Sequence, residues 1–272
     1  MKIINLIEDT PGSSNCLYEH GLSFYIETKK HKILMDTGAS DAFIKNATQL
    51  GIDLKQVDIV VLSHGHYDHS GGILSFVKIN PNATIYIQKN AVNDYYSIRE
   101  NGPAYIGIDK KILLLSNIVY IDDLLNIDDE LTIFSNITDR KFWPQTNQRL
   151  KKRENGVLIQ DDFDHEQCLV VNENNCSYLF SGCAHNGIVN ILKRYDQIFK
   201  KYPDKIISGF HMIKKIPYDQ DEITMIKETA NILTKVPAVF YTGHCTGKEA
   251  FAIMKEIMGE QLVLIHSGME IE

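Results

Sequence analysis

The chain has 272 residues, of which 44% are hydrophobic, and a formal net charge of −7. That length and composition are enough to bury a core, and nothing in them indicates disorder. The negative charge leaves no general basic surface for phosphate backbones, so a protein that grips long nucleic acid is disfavoured. We therefore expect no nucleic-acid partner and a small-molecule substrate.

The cysteines and the amino-terminal residues bear on localisation. Five cysteines are spaced widely, without a C-x-x-C pair, which is typical of reduced thiols in a cytoplasmic protein. The first fifteen residues hold only a short apolar run, and no stretch approaches the ~20 apolar residues of a membrane span. We expect a cytoplasmic protein with no membrane partner.

The first half of the chain shows a strand-rich pattern. Residues 22–27 and 32–35 are predicted to form a hairpin, because a polar turn separates two β-rich runs. Asp41 is placed to cap a helix that Gly51 ends. Residues 57–62 (VDIVVL) are nearly continuous in β-branched residues, which indicates a strand covered on both faces, and residues 84–88 repeat that pattern.

Two polar segments interrupt the chain. Residues 89–111 are rich in tyrosine and contain Gly102-Pro103, so we interpret them as an insertion over a site. Residues 143–156 are basic and predicted to form a loop between two halves. The chain is thus predicted to be a single domain, 1–272, with pseudo-equivalent halves at about 1–145 and 156–272.

The second half repeats the order of strands and helices. Strands are predicted over 167–171, 177–180, 205–208 and 238–241, and helices after SGCAHNG, around 223–233 and over 248–258. Each histidine cluster follows the carboxyl end of a strand, where loops converge into sites. The pattern predicts an α/β fold, an αββα sandwich of two mixed sheets packed face to face with helices outside.

A dense cluster of metal-ligand residues follows the strand at 57–62. His64, His66, Asp68 and His69 lie within six residues, and imidazole and carboxylate suit zinc, iron or manganese. Residues two apart in an extended segment point the same way, so His64 and His66 can bind one ion together. After a turn in the chain, Asp68 and His69 can face a second ion, and Gly71-Gly72 is expected to let the backbone bend tightly into the next element.

Motifs throughout the chain resemble one known family. LMDTGAS, VVLSHGHYDHSGG, SGCAHNGIVNI, GFHM and YTGHCTG resemble the metallo-β-lactamase superfamily. Within it they are most similar to the subfamily labelled 7,8-dihydropterin-6-methyl-4-(β-D-ribofuranosyl)aminobenzene 5′-phosphate synthase. The resemblance covers nearly the whole chain and is weakest over about 89–164.

This resemblance implies a set of metal ligands. By position, His64, His66 and His185 would bind a first ion, and Asp68, His69 and His244 a second. Asp36 would orient a ligand histidine through its free N–H. Histidine-rich ligation favours zinc, as one or two ions, with iron and manganese as alternatives.

One departure from the family concerns the residue that bridges the two ions. Many dinuclear members carry a bridging Asp after the next strand, whereas here residues 207–211 read ISGFH and the next acid is Asp219. His211 either takes that place or contacts substrate. His20 either faces the site and binds substrate or lies in an exposed turn. The basic run at 149–153 either holds an anionic group or is a solvated loop.

The residues and the resemblance together favour a metal-dependent hydrolase. A bound ion brings the pKa of its water from about 15.7 towards 7, so hydroxide is available to attack a small ester, lactone or phosphoester. Asp68 would position the water, and His211 would serve as proton donor or oxyanion partner. One alternative is a condensation of the pterin-linked synthase type, and another is a non-catalytic metal-containing ligand sensor.

Overall fold

The computed structural model describes residues 1–12 and 15–272. Its strands, in chain order, are β1 (Lys2–Ile7), β2 (Ser23–Glu27), β3 (Lys32–Met35), β4 (Ile59–Leu62), β5 (Thr84–Gln88), β6 (Tyr95–Arg99), β7 (Gly102–Tyr105), β8 (Ile118–Ile121), β9 (Leu124–Asn126), β10 (Leu131–Phe134), β11 (Leu150–Glu154), β12 (Val157–Gln160), β13 (Cys168–Glu173), β14 (Cys176–Phe180), β15 (Lys205–Ile207), β16 (Val239–Thr242), β17 (Leu262–Leu264) and β18 (Glu270–Ile271). The helices are α1 (Ala42–Gln49), α2 (Tyr67–Ser70), α3 (Ile73–Phe76), α4 (Ile188–Phe199), α5 (Gln220–Leu233) and α6 (Lys248–Met258).

Two mixed sheets of seven strands form the centre of the molecule. Their strand orders are β18-β1-β2-β3-β4-β5-β8 and β17-β16-β15-β14-β13-β10-β9. Apolar side chains from both sheets form one buried cluster, in which the rings of Phe24 and Phe180 lie 6.0 Å apart. The predicted sandwich is therefore confirmed, because the inward faces of both sheets share one core.

Helices cover the outer faces of the two sheets. Helix α1 packs on the first sheet through Phe43 and Ala47, while α4, α5 and α6 share a core with the second sheet. All four residues of β4 are buried, as expected for a strand covered on both faces. No helix in the described residues is long and apolar enough to cross a membrane.

A third sheet corrects the prediction for the two polar segments. Its strand order is β12-β11-β6-β7. Strand β6, which lies in the predicted insertion, pairs with β11, which lies in the segment that we expected to form a loop. The loop prediction for 143–156 is wrong over Leu150–Glu154, which form β11. These strands are polar because this sheet lies outside the sandwich, where only a small cluster around Tyr95, Ile106, Leu150 and Phe163 is buried.

Two local expectations also differ from the structure. Asp41 precedes α1 but makes no capping hydrogen bond with its side chain. Gly71 and Gly72 adopt ordinary right-handed φ and ψ angles, so they are not needed for bending. A Cβ on Gly71 would instead lie 2.2 Å from the carbonyl oxygen of Ala39, so glycine is required there for close backbone approach.

Candidate metal centre

The chemistry-bearing residues meet at the carboxyl ends of strands from both central sheets. His64 and His66 follow β4, and α2 carries Asp68 and His69. Cys183 and His185 follow β14, while His211 follows β15 and His244 follows β16. Parallel pairing of β14, β15 and β16 brings these ends to one edge, which is why residues far apart in sequence converge.

The first predicted ligand set forms a tight buried triad. Nε2 of His64 lies 3.2 Å from Nε2 of His185. The ring centroid of His66 lies 4.5 Å from that of His64 and 4.9 Å from that of His185. All three side chains are buried.

The second predicted set lies beside the first. Oδ2 of Asp68 is 3.9 Å from Nε2 of His69 and 3.5 Å from Nε2 of His244. The rings of His64 and His69 have centroids 4.2 Å apart, so the two sets are contiguous. The structure thus brings all six residues predicted from the resemblance into one cluster.

Asp36 orients two of these histidines. Its Oδ2 accepts hydrogen bonds from Nδ1 of His69 at 2.6 Å and from the hydroxyl of Ser63 at 2.7 Å. The Ser63 oxygen in turn lies 2.8 Å from Nδ1 of His64. Because the Ser63 proton is committed to Asp36, His64 must donate Nδ1–H and present an unprotonated Nε2.

Residues that the sequence did not single out orient the other histidines. Oδ1 of Asn147 lies 3.1 Å from Nδ1 of His185, and its amide nitrogen donates to the His185 carbonyl, which determines the amide orientation. Oδ1 of Asp9 lies 2.6 Å from Nδ1 of His244. Each ring therefore directs its Nε2 into the cluster.

The donor set fits a bound cation. Burial, followed by repulsion among the clustered imidazoles, holds the pKa of both His64 and His185 well below the usual range, so both rings are neutral. Two Nε2 lone pairs then face each other at 3.2 Å, which is repulsive unless a positive charge lies between them. Among described residues, Nε2 of His66 and of His244 are buried without a hydrogen-bond partner.

The second set also favours positive charge. Burial alone would raise the pKa of Asp68, but His244, whose Nε2 lies 3.5 Å away, and the nearby imidazoles of His69 and His66 hold it far below its usual range. Burial likewise opposes the charged form of His244, yet Asp68 and Asp9 raise the pKa of His244 well above 6.5. A proton at this position is what a divalent ion would replace.

Cys183 is a site residue that the sequence reasoning missed. Its sulfur belongs to two groups of donor atoms that lie within 4.8 Å of one another, one with His64 and His185 and one with His69 and His244. The available signal was its place in SGCAHNG, two residues before His185. His211 belongs to no such group in the parts of the chain that the structure describes.

His211 lies beside the cluster and is held in one protonation state. Thr146 donates its hydroxyl to the His211 carbonyl, so the contact between its Oγ1 and Nδ1 of His211, at 2.9 Å, requires Nδ1–H. Burial, and then the charge of Arg149, keep the pKa of His211 well below 6.5. The ring is neutral and offers Nε2 as a proton acceptor.

His20 is the exposed member of the site. Its side chain is 54% exposed, its Nδ1 contacts Oδ2 of Asp9 at 2.9 Å and its Nε2 lies 3.3 Å from Oδ2 of Asp68. Burial would raise the pKa of Asp9, but hydrogen bonds to His20 and His244 hold it well below its usual range. Of the two alternatives for His20, the structure supports a position facing the site.

A cavity opens above the cluster. It has a volume of about 100 Å³ and is open to solvent at its mouth. Besides the cluster it is lined by Tyr67, Ser97, Arg99, Ile106, Arg149 and Leu150. Ser97, Arg99 and Ile106 belong to the segment predicted to lie over the site, so that segment does so, and Leu150 comes from β11 beside it.

Two arginines give this wall a positive charge. Neither Arg99 nor Arg149 makes a hydrogen bond or ion pair with a protein group within residues 1–12 and 15–272, while the neighbouring Lys152 contacts Asp162 at 2.7 Å. Partial burial, and then the charge of Arg99, lower the pKa of Arg149. Two guanidinium groups without a partner in the described residues therefore line one side of the cavity.

Comparison with known proteins identifies the family. The family model of the metallo-beta-lactamase superfamily matches residues 18–195, so the chain belongs to that superfamily and is an enzyme of it. A relative from Methanocaldococcus jannaschii, the 7,8-dihydropterin-6-methyl-4-(beta-D-ribofuranosyl)-aminobenzene-5′-phosphate synthase, is 29% identical over 98% of this chain and 95% of its own.

Solved structures agree with this assignment. A crystal structure described as a metal-dependent hydrolase of the beta-lactamase superfamily is 30% identical, covers 100% of this chain and 98% of its own, and has a TM-score of 0.82. Zinc-bound PqqB from Methylobacterium extorquens is 12% identical over 100% of both chains, with a TM-score of 0.58, and shares the fold alone.

Proposed function

We propose that this chain is a metal-dependent enzyme that acts on a small phosphorylated substrate. The observation that carries the proposal is the cavity, which joins a buried cluster of metal ligands to the two unpaired arginines Arg99 and Arg149. Arginine binds phosphate oxygens through paired N–H donors, so phosphate is the anion that this wall suits best.

The residues predicted as ligands would hold one or two zinc ions. His64, His66 and His185 would bind the first ion, and the second would lie between Asp68, His69 and His244. Bound ions of this kind polarise a substrate oxygen or a water molecule. Imidazole-rich ligation also accepts iron or manganese.

A condensation of the pterin-linked type is the reaction that the similarity supports best. The relative from M. jannaschii matches this chain along nearly its whole length, whereas the sequence alone favoured hydrolysis. In such a reaction a C–N bond to an aminobenzene nitrogen forms while a C–O bond to a diphosphate group breaks. The amine proton must leave, and the neutral His211, with a free Nε2, is positioned to accept it.

Hydrolysis of a small phosphoester, ester or lactone is the second candidate. The relative of known structure that is 30% identical is described as a hydrolase, and the same residues would serve. Asp68 would orient a water molecule and His211 would hold its proton, while Arg99 and Arg149 would retain an anionic group. The two candidates differ in whether a second, amine-bearing substrate is required.

The test is a matched pair of variants assayed on both reactions. Purified protein is incubated with a 7,8-dihydropterin-6-methyl diphosphate and a ribofuranosylaminobenzene phosphate, and released diphosphate and coupled product are measured together. Arg149→Ala should raise KM at least tenfold. Lys151→Ala, which removes a charge from the same basic run but not from the cavity wall, should leave KM unchanged.

The outcomes separate the candidates. Product that appears only with both substrates supports condensation. Diphosphate or phosphate released without the amine substrate supports hydrolysis. Equal KM values in the two variants would refute the anion site at Arg149.

A further inference from the structure

Cys183 is a buried thiol at a position shared by the two histidine clusters. Its sulfur donates a hydrogen bond to Nε2 of His69 at 3.2 Å. The same sulfur lies within 4.8 Å of a donor nitrogen of His64, His185 and His244. A single sulfur is therefore within reach of both predicted ion positions.

The backbone around Cys183 is constrained on both sides. Gly182 has φ of 57° and Ala184 has φ of 52°, and the left-handed conformation is strained for Ala184, which carries a Cβ. A Cβ on Gly182 would lie 2.3 Å from Oγ of Ser63, so this loop packs directly against the residue that orients His64. Strain of this kind persists where the surrounding structure enforces a position.

Two further observations indicate a missing partner at this position. Nε2 of His66 is buried without a hydrogen-bond partner within the described residues, and its ring lies against those of His64 and His185. In addition, the loop after β15 offers no carboxylate, because residues 208–211 are Ser-Gly-Phe-His. Two divalent ions held close together need an anionic ligand between them. Among the six predicted ligands Asp68 is the one carboxylate, and it lies on the side of His69 and His244.

We propose that Cys183 is a metal ligand, and that its thiolate bridges the two ions in place of the carboxylate that is absent after β15. This inference rests on the metal dependence proposed above. On binding, the S–H bond breaks and its proton leaves to solvent, while the sulfur forms bonds to the ions. A thiolate is a soft ligand, so the centre should select zinc, cobalt or iron over magnesium or manganese.

Cobalt substitution tests the proposal directly. The wild-type protein, stripped with a chelator and loaded with Co²⁺, should show near-ultraviolet absorption from charge transfer between sulfur and cobalt, with about two ions per chain. Cys183→Ser should lose this absorption and bind its second ion at least tenfold more weakly. Circular dichroism and thermal melting of each variant establish that the fold is retained.

Two other cysteines provide controls. Cys176 lies at the opposite end of β14 from the site, so Cys176→Ser should keep both absorption and ion count. Cys245 lies in the cavity wall, and its sulfur accepts the backbone N–H of His211 at 3.3 Å. Cys245→Ser should keep the absorption, because this thiol belongs to none of the described ligand groups.

The possible results lead to different conclusions. A wild-type protein that binds two cobalt ions without charge-transfer absorption overturns the role of Cys183 and leaves the metal-dependent function standing. Absorption that persists in Cys183→Ser, or that is lost in Cys245→Ser, also overturns it. A wild-type protein that binds no ion overturns both this inference and the proposed function.

Discussion

Asp36→Asn tests whether metal binding depends on how the predicted ligand histidines are oriented, because the substitution leaves the histidines themselves unchanged. Asp36 is buried, and it accepts hydrogen bonds from Nδ1 of His69 and from both the N–H and the hydroxyl of Ser63. Asparagine has one side-chain oxygen, so it can accept the hydrogen bonds of only one of the two carboxylate oxygens. In one orientation its amide nitrogen faces the backbone N–H of Ser63, which is itself a donor. In the other it faces Nδ1 of His69, which must then accept and carry its proton on Nε2, so the ring no longer offers a lone pair to the cluster.

The magnitude follows from the bonds that are lost. Loss of a hydrogen bond to a charged group costs about 1.5–3 kcal/mol, and loss of a carboxylate behind a metal-bound histidine lowers metal affinity by about 10–100-fold. We expect a weakening of metal binding in that range, measured by competition with a chelator of known affinity. Thermal melting of the metal-free variant separates this loss from general destabilisation.

Asp58→Asn is the matched control. Asp58 also accepts from a histidine Nδ1 at 2.6 Å, that of His31, but it lies on the surface away from the cluster. Its substitution should leave metal affinity unchanged. If Asp36→Asn binds metal as tightly as the wild type, Asp36 does not set the tautomer of His69 and the orientation argument is wrong.

Three further predictions concern the proposed proton acceptor His211, the stability of the protein in acid, and the backbone packing at Gly71. His211→Gln should lower kcat by about 10²-fold or more in steady-state assays with an unchanged ion count; a lost ion would instead make His211 a ligand. The metal-free protein should lose stability as pH falls below 6.5. Histidines whose pKa is depressed in the folded protein take up protons on unfolding, and they outnumber His244, whose raised pKa has the opposite effect. Denaturant unfolding at pH 7 and pH 5 measures the difference. The depressed pKa values, that of His66 being about 3, belong to His64, His66, His185 and His211. Gly71→Ala should cost about 1–3 kcal/mol in unfolding free energy, since its Cβ meets the Ala39 carbonyl, and an unchanged melting temperature would show that the backbone relaxes freely.

Elements with a strong local pattern were predictable from the sequence. The buried strand β4 consists of residues IVVL, and α6 has the predicted bounds, because a long periodic segment starts directly after Gly247. The ligand motif was visible for the same reason, since four of its donors lie within six residues. Local patterns carry this information because neighbouring residues share one element.

The partners that orient the histidines carry no such local signal. Asp9 contacts His244 across 235 positions of sequence, and Asn147 contacts His185 across 38. Neither residue type is unusual where it stands in the chain. Only the convergence of strand ends from both sheets makes them part of the site, and that convergence is a property of topology.

The third sheet escaped prediction for a different physical reason. Apolar and polar residues alternate only weakly along its strands, because most of their surface faces solvent. The sequence of β11 (LKKRE) is therefore typical of a charged loop. The same exposure fits its position, since this sheet contacts the sandwich through a small buried cluster while its strand ends carry Arg99 and Arg149 to the cavity. The proposed metal ligands follow strands of the central sheets, whereas the proposed anion-binding wall comes from the outlying sheet and the residues beside it. Changes in this wall can therefore alter which substrate binds while the geometry of the metal ligands is preserved.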